Sequence, residues 1–201
     1  MDGHQPEKPN HLVKQYGVRY TKNRKKFVDI ECQMTQQLLN SSDGGNNSPC
    51  VKASHLVPYR CAALMTVFGV RTDDINNARN GLLLCSAIEE AFDQLQLCFI
   101  VTLQGNFQMV VLNPALLPLP ALPSKKTFAS IDRQNLHLPS GLQPYRQVLS
   151  VHAHKAHHQA FRLGWIDRNQ LNTFIDYHTL SRDPTPGADN NWVNTLTELI
   201  S

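Results

Sequence analysis

His55 in "KASHLVPYR" (52–60), Asn80 in "NARNGLLLC" (77–85) and the acidic pair Glu89 and Asp93 are residues whose types and spacing could do chemistry. On a helix, Glu89 and Asp93 lie four apart and share one face, with Cβ atoms about 6 Å apart. Two carboxylates that close repel each other unless a cation lies between them. Such a pair can hold one hard divalent ion, Mg²⁺ or Mn²⁺. A neutral histidine across from that ion can take a proton from an attacking water. An asparagine such as Asn80 can brace a loop by hydrogen-bonding backbone or the histidine. Taken singly, each residue has a plainer reading. His55 reads as a satisfied strand histidine, and Asn80-Gly81 as an ordinary turn. Glu89 reads as the far end of a capping box from Ser86, and Asp93 as a surface acid.

A second group, His152, His154, His157 and His158 in "HAHKAHH", places His154 one helical turn from both His157 and His158. A transition-metal site for Zn²⁺ or Ni²⁺ is conceivable there. No acidic or cysteine-rich neighbour completes it, so a solvent-facing or phosphate-contacting helix is the favoured reading.

The elements that must position these residues follow from periodicity. Residues 27–39 have Phe27, Ile30, Met34, Leu38 and Leu39 at close to helical spacing. Residues 40–49 form a Gly/Ser/Asn loop. Residues 50–59 read as a strand stopped by Pro58, and 60–70 as a short helix closed by Gly69. After the polar stretch 71–80 come a short buried segment, 81–85, and a helix, 86–95, with Ser86 as N-cap. "LCFIVTL" and "FQMVVL" flank a turn at Gly105 and read as a hairpin. A proline-broken connector (113–123) leads to a helix from about Pro144 to Leu163. Strand, strand and helix then carry His55, Asn80 and the acidic face in that order.

"ASHLVPY", "NGLLLC" and "IEEAFDQLQLCF" together resemble the HNH endonuclease family, closest to a subgroup reading A-H-I-x-P, N-G-L-L-L-C and I-H-x-x-F-D before a hairpin. "HLPSGLQPYRQVLSVHAHKAHHQAF" is similar to the tail of that subgroup, and the likeness spans about residues 25–165. The resemblance implies an α+β fold with a ββα-metal core, a following hairpin and flanking helices. It implies that His55 activates water, Asn80 orders the loop and Asp93 binds metal. It implies a packing or bracing role for His152. The family's helix histidine is replaced by Glu89, a harder ligand suited to Mg²⁺. That change either retunes the metal or marks a site going out of use.

The chain has 201 residues, 41% hydrophobic and 17% charged, which suits one core-bearing domain. Three regions are expected: a basic N-terminal segment (1–25), the HNH-like domain (26–180) and a polar tail (181–201). The net charge of +3 is modest, but the first 26 residues hold Lys8, Lys14, Arg19, Lys22, Arg24, Lys25 and Lys26 against Asp2 and Glu7. Lys22, Arg24, Lys25 and Lys26 are the candidate nucleic-acid contacts. Five cysteines without a C-x-x-C pair argue against a disulfide framework and a zinc knuckle. The polar start and the lack of a run of about 20 apolar residues give the expectation of a soluble, intracellular protein. The function expected is metal-dependent hydrolysis of phosphodiester bonds in DNA, with RNA as the other polyanion. The competing reading is a catalytically inactive HNH scaffold that binds DNA or a protein partner.

Overall fold

β4 (Gly81–Cys85) runs through the centre of the structure, and every one of its residues is buried. That explains the unbroken Leu82-Leu83-Leu84 run. A strand covered on both faces has no solvent side to alternate toward. The computed structural model describes residues 29–34, 38–40, 51–122, 126–139 and 141–180. The basic residues Lys22, Arg24, Lys25 and Lys26 and the tail 181–201 lie outside the described residues.

One edge of β4 pairs antiparallel with β3 (Val51–His55), with His55 opposite Gly81 and Val51 opposite Cys85. The other edge is closed by residues 32–34. Gln33 N–H donates to the Leu83 carbonyl at 2.9 Å, and the Gln33 Oε1 accepts from Leu83 N–H at 2.9 Å. The Cys85 N–H reaches Cys32 Sγ at 3.3 Å. The glutamine side chain thus replaces part of a neighbouring strand's backbone. The helix expected over 27–39 is not formed. β1 (Asp29–Glu31) and β2 (Leu38–Asn40) pair antiparallel there instead. The open edge of β4 requires backbone partners, because buried unpaired N–H and C=O groups are costly. The turn after β1 satisfies that need through Cys32 and Gln33, and tertiary context overrides the local period.

α1 (Ser86–Asp93) begins directly after β4. Its N-cap position falls on Cys85, which makes no side-chain capping bond, rather than on Ser86. Glu89 is therefore one place past the capping-box position, and it is used differently. Its buried face, Ile88, Ala91 and Phe92, packs into the main core with Leu82, Leu84 and Phe99. β5 (Leu97–Val101) and β6 (Phe107–Val111) form the expected hairpin, with Gly105 at φ 80 in the turn. The β3–β4 connection contains a 3-10 helix, Tyr59–Phe68, closed by Gly69 at φ 67. Two short 3-10 turns follow, Thr72–Asn76 and Ala78–Asn80.

After α2 (Phe128–Ile131) comes α3 (Arg146–Arg162), close to the expected bounds. Ala153, Ala156 and Ala160 are all fully buried, and these small side chains let α3 lie close to Cys98 and Val110 of the hairpin. α4 (Arg168–Leu180) is a helix the periodicity reading left unassigned. Asp167 Oδ1 accepts from Gln170 N–H and Gln170 Oε1 accepts from Asp167 N–H, both at 2.8 Å. This is a reciprocal capping box spelled D-x-x-Q. Strand pairs with helices before and after the hairpin make an α+β fold, with β3, β4 and α1 as its ββα unit.

Candidate active site

Asn80 has no solvent exposure, and its side chain uses three hydrogen bonds. Its Oδ1 accepts from Val57 N–H at 2.9 Å. Its Nδ2 donates to the carbonyls of Val57 at 3.0 Å and Ile75 at 2.8 Å. Its own carbonyl accepts from Leu56 N–H at 2.9 Å. The long connection between the strands is therefore tied at both ends to one residue. An amide is the side chain for this task because it carries an acceptor and two donors on one rigid group. The chain leaving β3 is fixed just after His55. The bracing expected of Asn80 runs to backbone and not to the histidine.

The strand alternation of β3 sends Lys52 and Ser54 toward α1. Lys52 Nζ forms an ion pair with Glu89 Oε2 at 2.8 Å. Ser54 Oγ donates to Asp93 Oδ1 at the long distance of 3.5 Å. Two strand residues two apart thus meet two helix residues four apart. The hydrogen bond to Glu89 raises the Lys52 pKa first, and the charges of Glu89, Glu90 and Asp93 add to it against partial desolvation. The Asp93 carboxyl is raised chiefly by desolvation on burial and next by the charge of Glu89, with Ser54 and Lys52 opposing. Glu89 and Asp93 therefore feel each other, as their spacing predicted.

His55, the last residue of β3, is half-buried. No hydrogen bond or ion pair among the described residues joins it to Asp93 or Glu89. The structure brings Glu89 and Asp93 together with Lys52 and Ser54, and leaves His55 at the strand end. Lys52 was missed by sequence reasoning, although a lysine two residues before Ser54 on the helix-facing side of the strand was the available signal. Two carboxylates on one helix face, already drawing an ammonium between the strands and the helix, are a donor set that fits a hard divalent cation.

The histidines of α3 do not converge. His152 stacks on Phe92 with ring centroids 3.8 Å apart, and His157 stacks on Phe174 at 3.6 Å. His152 Nε2 lies 2.9 Å from the Phe92 carbonyl, which can only accept, so Nε2 carries the hydrogen. That bond braces the end of α1 next to Asp93. His157 Nδ1 likewise donates to the Ala153 carbonyl at 2.8 Å. Burial is the main cause that lowers both rings to about 4, with those carbonyl bonds opposing it. Burial pushes the Cys98 thiol far up, so it is no nucleophile. Among the described residues, no group of three or more His, Cys, Asp or Glu is placed to hold a metal ion. The Zn²⁺ or Ni²⁺ reading of "HAHKAHH" joined His154 with His157 and His158, and it loses His157, which is stacked on Phe174 with its Nδ1 on the Ala153 carbonyl.

A family model described as HNH endonuclease matches residues 32–100, from the segment that closes β4 through β5. No curated protein and no solved structure matches the chain. No helix among the described residues is long and apolar enough to cross a membrane.

Proposed function

From the match of residues 32–100 to the HNH endonuclease model, we propose that this chain is an HNH-type nuclease that hydrolyses phosphodiester bonds in DNA with His55 as general base. The observation that carries the reading is the clamp at Asn80. Its bonds to Val57 and Ile75 fix the backbone two residues after His55. β4 then delivers α1, with Glu89 and Asp93, on the same side of the hairpin as Lys52 and Ser54. Base and acidic pair belong to one ββα unit, with His55 at the end of β3 on the face opposite Lys52 and Ser54, and the proposal requires its ring to reach around that strand end.

Asp93 and Glu89 are the side chains that would hold Mg²⁺ or Mn²⁺. When bound, that ion supplies positive charge at the scissile phosphate and its leaving oxygen. His55 accepts the proton from the attacking water at a ring nitrogen. Asn80 is a positioning residue that acts through the backbone. Lys22, Arg24, Lys25 and Lys26 attract the phosphate backbone, so binding weakens as salt rises. Plasmid cleavage with Mg²⁺, Mn²⁺ or EDTA tests the reading, with His55→Ala and Asp93→Ala as the variants. Metal-dependent nicking that is lost in both supports it, and nicking retained in His55→Ala refutes the assigned base.

One observation favours a second reading. Glu89, which the resemblance sets where the family has a histidine, is already engaged by Lys52 at 2.8 Å. An inactive scaffold that binds DNA or a protein partner would keep such a pair. Glu89→His separates the two: an inactive site gains cleavage, whereas an active one changes its metal preference.

A further inference from the structure

Lys52 and the proposed metal need the same carboxylate. The ammonium of Lys52 lies 2.8 Å from Glu89 Oε2, and an oxygen that accepts this bond directs toward nitrogen the lone pair a cation would use. The two partners are not equally sheltered. The Glu89 side chain is 15% exposed and that of Lys52 is 40% exposed. The carboxylate is held by its helix, while the lysine reaches it on a flexible four-carbon stem open to solvent. Lysine is therefore the partner that can leave.

We infer that Lys52 competes with the divalent cation for Glu89, so that metal binding displaces its ammonium and frees it to meet the substrate's phosphate. The inference rests on the reading above that Glu89 and Asp93 hold the ion. It follows from the registry of the two elements. Lys52 and Ser54 on β3 stand opposite Glu89 and Asp93 on α1, one partner each. A hard cation takes one or two protein carboxylates and completes its shell with water and phosphate oxygens. Glu89 can thus serve the lysine or the cation, with Asp93 available to both states. Once released, Lys52 leaves the acidic side with a free positive charge beside the substrate site. Metal binding and phosphate binding are then coupled through one side chain, and each strengthens the other.

Mn²⁺ titration of the full chain by calorimetry tests this without reference to cleavage. Lys52→Met should bind Mn²⁺ about tenfold more tightly than wild type, because a part-screened ion pair and a nearby like charge are both removed. Lys52→Arg, which keeps the charge, should bind as wild type does. In a Glu89→Gln background the gain from Lys52→Met should vanish. Equal Mn²⁺ affinity for wild type and Lys52→Met overturns the inference, and so does the absence of Mn²⁺ uptake by every variant. Plasmid cleavage by the same preparations reports on the parent reading separately. Metal-dependent cleavage together with equal affinities would retain the nuclease and remove only the competition.

Discussion

Acid should unfold this protein through two buried rings on α3. His152 and His157 have folded pKa values lowered from 6.5 to about 4, chiefly by burial. Their charged neighbours also disfavour the proton: Lys155 for His152, and His154, Arg133 and His158 for His157. Between pH 6.5 and 4 the unfolded chain binds protons that the fold excludes. Stability from these groups is complete above pH 6.5 and is lost as pH falls toward 4. Each shift corresponds to roughly 3 kcal/mol in full, at 1.36 kcal/mol per unit. From pH 7 to pH 5 the loss is about 2 kcal/mol per ring, or about 4 kcal/mol for both. Urea unfolding at pH 7, 6 and 5 measures it. His152→Gln keeps a donor near the Phe92 carbonyl, and His157→Phe keeps an aromatic face for Phe174. Neither replacement titrates, so each should shrink the pH 7-to-5 loss by about 2 kcal/mol. Carboxylates elsewhere cancel in that comparison. A difference between wild type and variant that stays constant across the three pH values would refute the claim that these rings are held neutral by packing.

Asn80→Ala should cost about 2–4 kcal/mol in denaturant unfolding, since it leaves the Val57 N–H and the Val57 and Ile75 carbonyls without their buried partner. Asn80→Asp should cost more, because it turns a two-hydrogen donor into an acceptor aimed at two carbonyls. A loss under about 1 kcal/mol for either would show that water replaces the clamp. Gly105→Ala should cost about 1 kcal/mol in thermal or urea unfolding. Its φ of 80 disfavours a side chain, whereas the contact of the added Cβ with Arg146 Nη2 at 2.9 Å is with a flexible side-chain end. No change at this position would place the cost of the turn elsewhere.

The ββα unit was legible because its residues obey short-range rules. "GLLLC" is apolar throughout, since β4 is covered on both faces and both edges. The hairpin announced itself by two apolar runs around Gly105. Asn80 was legible as a loop brace, but its three partners were not, because Val57 and Ile75 meet it only after the connection folds back. The helix expected over 27–39 failed for a related reason. The need of β4 for an edge partner lies fifty residues away from Gln33, beyond any local window. α4 was missed although Leu171, Phe174 and Ile175 have helical spacing, because its capping box uses Asp167 and Gln170 in place of the commoner serine and glutamate. Lys52 was passed over because a lysine in a strand reads as solvated. Only the registry of β3 against α1 turns it into the partner of Glu89. The α3 histidines read as a solvent-facing or phosphate-contacting group in one dimension, whereas His152 and His157 are stacked on Phe92 and Phe174 in three.

The central claim is that His55, at the end of β3, works as a base together with the acidic pair of α1. Plasmid nicking by wild type and His55→Ala, each with Mg²⁺, Mn²⁺ or EDTA, tests it most directly. Wild type should nick only with a divalent ion, and His55→Ala should be slower by about 10²–10⁴-fold while binding DNA at the same salt as wild type. Equal nicking rates for the two proteins would contradict the account, and so would a wild type that binds DNA and never cuts it with either ion.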